Sequence, residues 1–246
     1  MSDILIQVVN LSKRFHILLR KKTSLEVLKT LAQKEPLKAE YWVLRGLTFE
    51  VFQGDRIALI GKNGSGKTTL LRILSGIYAC TSGTLDIRHK PSTLFRSMAG
   101  VFPDLSVIDN VYLLGSIYGI NRSYLDRRLD AVLSYSELEN LKFCPMKDLS
   151  SGQRQRLVLA IFFESQNNFL IFDESLSAVD LGFSMKFEER LKSDSFSGRT
   201  IIMTSHDHEF LRRHCRTAIW LEEGKIRMQG EVNEVLDQYE QSLKIG

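Results

Sequence analysis

The 246-residue sequence has three cysteines, four prolines and no long apolar run, and each scarcity removes a class of protein. Cys80, Cys144 and Cys215 are odd in number, far apart and without a Cys-x-x-Cys pair, which argues against a disulfide framework and against a zinc site. The longest apolar stretches, residues 157–163 and 169–172, fall well short of the roughly 20 residues that a membrane-spanning helix needs. The first 15 residues alternate polar and apolar side chains and lack the basic start, apolar centre and small-residue cleavage site of a secretory signal, so the chain is expected to stay in the cytosol. Its net charge of +4 comes from interspersed residues. The densest basic clusters, Arg20-Lys21-Lys22 and Arg212-Arg213, are too short for a nucleic-acid-binding stripe, and no nucleic acid is expected as a partner. With 43% hydrophobic and 25% charged residues, the chain is long enough for one large α/β domain, or for a core carrying a smaller inserted unit.

Residues 56–60 form a short apolar segment of strand character, followed by Gly61-Lys62-Asn63-Gly64-Ser65-Gly66-Lys67-Thr68 and then by a helical pattern that places Leu70, Ile73, Leu74 and Ile77 on one face. A strand, a glycine loop and a helix in this order aim successive backbone N–H groups and a helix N-terminus at one anion, and the glycines keep side chains out of the way. In such a phosphate cradle, Lys67 reaches the β- and γ-phosphates and the Thr68 hydroxyl ligates the Mg²⁺ that bridges them. Thr69 is placed to touch the α-phosphate.

A second apolar run, residues 168–172, has the character of a buried parallel strand and ends in Asp173-Glu174. Ligands bind at the carboxyl edge of open α/β sheets, so Asp173 is placed to hold Mg²⁺ and Glu174 to orient or deprotonate an attacking water. Upstream, Leu149-Ser150-Ser151-Gly152-Gln153 opens a helical stretch that runs through Glu164. That is an ordinary helix cap by itself, and it gains meaning from standing just before the acidic strand.

The order of phosphate loop, L-S-S-G-Q at 149–153, F-L-I-F-D-E at 169–174, S-A-V-D at 177–180 and T-S-H-D at 204–207 resembles the nucleotide-binding subunit of ABC transporters over nearly the whole chain. The resemblance implies ATP and Mg²⁺ as cofactors and a homodimer paired head to tail. Each ATP would lie between the phosphate loop of one copy and Ser150, Gly152 and Gln153 of the other. It further implies that residues 177–180, ending in Asp180, form the loop that crosses the dimer interface. His206 would contact the γ-phosphate, completing a catalytic set with Glu174 and Lys67. Phe15 matches the aromatic that stacks on adenine, with Tyr41 or Trp42 as alternatives. A separate integral membrane permease would be the partner, holding the chain peripherally at the cytoplasmic face of the plasma membrane.

The expected fold is a P-loop NTPase (RecA-like) core with an N-terminal antiparallel β subdomain and an inserted α-helical subdomain, together one α/β domain over residues 1–246. Residues 1–103 supply the β subdomain and the first half of the core, 104–149 the helical subdomain, and 150–246 the rest, with a hairpin over 218–230 and a final helix over 232–243.

The sequence also departs from the family pattern. ABC subunits carry a glutamine between core and helical subdomain, yet none occurs between Gln53 and Gln153, and the position falls near Phe102. Ser151 stands where the common signature has glycine. Residues 17–40 form an extra segment before a strand expected over 44–52; Leu25, Leu28 and Leu31 beside Lys21, Lys22 and Lys29 suit an amphipathic helix or a surface insertion. The stretch at 100–111, the S-S-G signature and the A-I-W-L-E-E-G-K-I ending resemble the subgroup that exports O-antigen, capsule and teichoic-acid chains, which implies a lipid-linked glycan as substrate. Other exported substrates (lipid, peptide or drug) and a soluble, non-transport ABC ATPase are the alternatives. Against the latter, its nucleic-acid-processing relatives carry tandem copies or a long coiled coil that this sequence lacks.

Overall fold

In the computed structural model, residues 3–18, 38–95, 101–173 and 181–245 are described. Apolar residues at alternate positions near the N-terminus, among them Ile6 and Val8, build strand β1 (Ile4–Leu18), which pairs antiparallel with β2 (Lys38–Phe52) on one side and with β4 (Ser82–Ile87) on the other. The second strand begins six residues earlier than the expected 44. Pairing continues outward through Phe15↔Tyr41 to Leu18↔Lys38, so much of the extra segment's flanks is a two-stranded arm. Residues 19–37, which carry Leu25, Leu28 and Leu31, lie outside the described residues.

The main sheet has the order β5-β6-β7-β3-β8-β9. Its strands are β3 (Arg56–Ile60), β5 (Ser92–Phe95), β6 (Phe169–Asp173), β7 (Thr200–Thr204), β8 (Thr217–Glu222) and β9 (Lys225–Glu231). All pair parallel except the β8–β9 hairpin. Strands β6 and β7 are buried at every position, because a parallel sheet is covered on both faces and its strands therefore read as continuous apolar runs.

Each face has its own core. Ile57, Leu59, Ile171 and Ile202 point to the face covered by helix α1 (Lys67–Leu74) and the three-stranded sheet. Ala58, Ile60, Leu170 and Met203 point to the other, which is covered by the remaining helices. These are α2 (Val107–Ile117), α3 (Arg122–Ser136), α4 (Ser151–Phe163), α5 (Leu181–Lys192), α6 (His208–His214) and α7 (Val232–Ile245). Gly115 permits α2 and α3 to cross closely, since a Cβ there would lie 2.2 Å from Leu125 Cδ1.

One expectation needs correcting: α1 ends at Leu74 and Gly76 turns the chain at φ +74°, so Ile77 leaves the helix and is exposed rather than continuing its buried face. No helix among the described residues is long and apolar enough to cross a membrane. All three cysteines are free, and burial pushes the Cys215 thiol up to about 12, which keeps it a neutral core group.

Two carboxylates tie the helical unit to the core. Glu164, which caps the end of α4, is buried and accepts hydrogen bonds from Arg128 Nε and Nη2 (2.9 and 3.0 Å), from the Tyr124 hydroxyl (3.0 Å), and from Arg190 of α5 (3.5 Å). Glu137, at φ +60° just past α3, joins Arg156 of α4 to Lys186 of α5 (2.5 Å each).

Candidate active site

The sheet register brings the sequence-predicted chemistry to one edge. Ala58 of β3 and Phe172 of β6 both pair with Met203 of β7, so the three strands end side by side. The phosphate loop leaves from β3, Asp173 ends β6, and His206 follows β7 by two residues. With neighbouring strands about 4.8 Å apart, Asp173 stands roughly 10 Å across the sheet from the strand that feeds the loop. Asp173 is buried and its Oδ1 accepts from the Thr204 hydroxyl at 2.9 Å, which fixes the carboxylate's orientation. His206 is exposed at the same edge.

The loop itself is shaped for close backbone approach. Gly61 (φ +144°) and Gly66 (φ +108°) hold conformations that side chains disfavour, and a Cβ on either would meet Leu221 O at 2.2 Å or Leu44 Cδ2 at 2.5 Å. Gly64 has open space around it, and Asn63 is exposed beside it. Gly66 caps α1 with no side-chain hydrogen bond, so no side chain competes for the first-turn N–H groups of Lys67, Thr68 and Thr69. Ser65 Oγ is buried without a hydrogen-bond partner, an orphaned polar atom inside the cradle. Lys67 Nζ donates to the Gly61 and Lys62 carbonyls at 2.7 and 3.3 Å, which holds the ammonium over the loop. Thr68 is exposed on the first turn. An uncapped helix N-terminus, an orphaned hydroxyl and a cation over glycine backbone fit a bound polyphosphate. One hydroxyl and one fixed carboxylate fit Mg²⁺, which takes few protein ligands and completes its shell with phosphate oxygens and water.

Glu174 and Asp180 lie outside the described residues. Ser150 caps α4 and forms a reciprocal capping box with Gln153: the Gln153 N–H donates to Ser150 Oγ (3.2 Å) and the Ser150 N–H donates to Gln153 Oε1 (2.9 Å). Gly152 sits between them, half-buried, and Ser151 is exposed. The other end of α4 lies near the acid, because the Phe162 ring packs edge-on to Phe172 with centroids 5.1 Å apart. Twelve residues of helix, about 18 Å, separate Phe162 from Ser150. The signature side chains are thus held a helix length from the point where their own chain meets the sheet edge.

Beside the phosphate loop is a cavity of about 430 Å³, bordered by Tyr41, Trp42, Arg45, Asn63 and the turn Glu222-Glu223-Gly224. Phe15 does not border it. Its ring is edge-on to Tyr78 at 5.5 Å, under the Lys13 ammonium at 4.9 Å. Of the three aromatics that the sequence offers for adenine, the structure sets Tyr41 and Trp42 beside the loop and turns Phe15 to Tyr78.

Sequence reading missed the role of the β8–β9 turn. The Gly224 N–H donates to Ser65 O (3.2 Å), its carbonyl accepts from Arg45 N–H (2.8 Å), and a Cβ there would lie 2.2 Å from Val43 O, so this turn braces the phosphate loop from outside. The signal was Gly224 between two strands, but a hairpin motif does not reveal what its turn touches. Thr204, read only as the first residue of the T-S-H-D motif, orients Asp173.

A family profile described as ABC transporter matches residues 44–177. An O-antigen export system ATP-binding protein from Myxococcus xanthus is 34% identical over 202 residues, covering 82% of this chain and 46% of its own length. A teichoic acids export ATP-binding protein from Lactococcus lactis is 30% identical over 95% of this chain and 50% of its own length. An O-antigen export system ATP-binding protein from Klebsiella pneumoniae is 28% identical, with 83% of each chain covered. The chain therefore spans about half the length of the first two relatives. Among solved structures, an ATP-binding subunit of an ABC transporter superposes with a TM-score of 0.74 at 21% identity, over 96% of this chain and 93% of the other. A dimeric ATP-binding cassette in a post-hydrolysis state bound to ADP and Pi superposes with a TM-score of 0.71 at 20% identity, over 92% and 98%. These two likenesses establish the fold.

Proposed function

The chain belongs to the ABC transporter family, and from that premise we propose that it is the ATP-binding and hydrolysing subunit of an exporter, working as a homodimer on a separate membrane permease. The observation that carries the dimer is the helix length between Phe162, at the acid's edge of the sheet, and the Ser150 cap of the same chain. A second copy turned head to tail supplies the missing contact, with Ser150, Gly152 and Gln153 of one protomer meeting the nucleotide on the other's phosphate loop. The neighbour solved as a dimer with ADP and Pi supports a dimeric assembly.

The backbone N–H groups of Gly64 to Thr69 and the Ser65 hydroxyl bind the phosphates, and Lys67 neutralises their charge. Thr68 and Asp173 would hold Mg²⁺, which offsets charge on the phosphate oxygens. Glu174, the residue after Asp173, takes the proton of the attacking water, and His206 orients the γ-phosphate from the end of β7. Asp180 belongs to the loop that meets the partner copy. Trp42 and Tyr41, beside the loop, offer the adenine a flat surface.

Phe102, Leu105 and Phe143 are exposed on two segments of the helical unit, 102–108 and 142–147, which pair through Val107 N–H to Cys144 O (3.0 Å) and Met146 N–H to Leu105 O (3.0 Å). This apolar surface is the docking face for the permease, and it holds the chain at the cytoplasmic side of the plasma membrane. The cargo is a lipid-linked cell-surface polysaccharide, a reading supported by relatives named for O-antigen and teichoic-acid export. The test is to purify the protein from its native membranes in mild detergent and identify by mass spectrometry what accompanies it. A polytopic permease whose loss stops export of a surface glycan is the expected result. Recovery in the soluble fraction with no membrane protein would overturn the transport reading.

A further inference from the structure

Away from the phosphate-binding edge, α2 carries a buried amide. Asn110 stands in the first turn of α2 with its side chain fully buried, so every donor and acceptor it carries must find a protein partner. All of them are spent on one short stretch. Asn110 Oδ1 accepts from the Phe102 N–H at 2.8 Å, and Nδ2 donates to the carbonyls of Phe102 (3.0 Å), Leu105 (3.2 Å) and Ser106 (2.9 Å). Both backbone polar groups of Phe102 are thereby taken, and its ring is left to project outward at 45% exposure.

The other side of the same stretch is tied to the segment that leads into the signature. Besides receiving Asn110, the Leu105 carbonyl accepts from the Met146 N–H (3.0 Å); the Pro103 carbonyl accepts from the Lys147 N–H (2.8 Å), and Ser106 bridges Pro145. From there the path to Ser150 is short and stiff. Met146 and Leu149 are both buried, and the Leu149 N–H donates to Met146 O at 3.2 Å. The Phe102 loop and the start of α4 are thus joined by a continuous run of backbone hydrogen bonds.

We propose that Asn110 is a positioning residue that fixes the Phe102 loop on α2 while the backbone of that loop holds Met146 and Lys147, so that contact at Phe102 sets where Ser150 and Gln153 of the same chain are presented. The inference rests on the reading of Ser150 as a contact to the partner's nucleotide. It also accounts for a phenylalanine where the family carries glutamine: the loop's position is held through the backbone of residue 102, whatever its side chain.

The test places Asn110→Ala in a Glu174→Gln background, in which slowed hydrolysis lets the ATP-bound dimer accumulate. Three quantities are read: affinity of the monomer for a fluorescent ATP analogue, the protein concentration at half-dimerisation with ATP and Mg²⁺ by sedimentation, and amide hydrogen exchange. The expected result is unchanged nucleotide affinity, a half-dimerisation concentration raised about 3- to 30-fold, and faster exchange both at 102–106 and at 145–150. Faster exchange confined to 102–110, with dimerisation unchanged, would show a merely local role and overturn the proposal. If the Glu174→Gln parent fails to dimerise with ATP, the dimer reading falls by itself, and the exchange pattern still decides whether Asn110 links the two segments. Should Asn110→Ala not fold, Asn110→Asp keeps the acceptor for Phe102 N–H, loses the donors, and is read the same way.

Discussion

Replacing Lys67 with alanine is expected to lower kcat/KM for ATP by about 100- to 1,000-fold while leaving the fold intact. The cap position of α1 is Gly66, and the side chain's ammonium lies across the phosphate loop, where it donates to the Gly61 and Lys62 carbonyls. Its removal takes away charge that is needed where negative charge gathers on the phosphates, and a fixed cation beside a developing charge is worth about 3–4 kcal/mol. The loop's backbone conformation is set by its glycines and by the Gly224 brace, so the thermal midpoint should move little. Steady-state turnover measured beside a melting curve separates the two effects. Near-normal turnover in a stable Lys67→Ala protein would place the nucleotide elsewhere.

The second large effect falls on stability. Glu164→Ala should cost about 3 kcal/mol, because it leaves Arg128, Arg190 and the Tyr124 hydroxyl without the buried carboxylate they share. The figure is taken from the low end for buried pairs, since the Arg128 and Arg190 side chains keep 38% and 30% exposure and water can partly replace the lost partner. In a chain of this size the midpoint should fall by about 6–12 °C. Glu164→Gln, which keeps an acceptor oxygen, should lose less. By contrast, breaking the exposed Lys147–Asp104 pair should cost about 1 kcal/mol at most. A Glu164→Ala midpoint no lower than that of Lys147→Ala would show that the helical unit is not held to the core in this way.

How far the structure could be read from the residues depended on whether the signal was local. Strand β3 falls at the expected 56–60 and β6 within one residue of the expected 168–172, because a strand buried on both faces appears as an unbroken apolar run. The phosphate loop was legible for a similar reason: its glycines, lysine and threonine are consecutive, and their geometry is fixed within eight residues. The end of the arm that carries β1 out to Leu18 was not, because residues 17–40 read as one extra segment and only pairing with a distant strand makes its start β. Which aromatics border the cavity was equally invisible, because it depends on contacts between residues far apart in sequence, such as that of Phe15 with Tyr78. Ile77 continued a helical period that Gly76 breaks. Asn110 and Glu164 look like surface residues of polar helix faces, and only the packing of α2 against the 102–106 loop, or of α3 against the end of α4, buries them. The signature was legible as a helix cap, and the capping box shows that its two polar side chains serve that cap in the single chain.

The central claim is that ATP is hydrolysed between two copies, each lending its Ser150 end to the other's phosphate loop. The most direct measurement is specific ATPase activity of the purified wild-type protein as a function of its own concentration, followed across the monomer–dimer range set by sedimentation. The account predicts specific activity that is negligible when the protein is monomeric, climbs with concentration and levels off as dimers saturate. Constant specific activity down to concentrations at which only monomer is present would contradict it, and would mean that one chain carries a complete site.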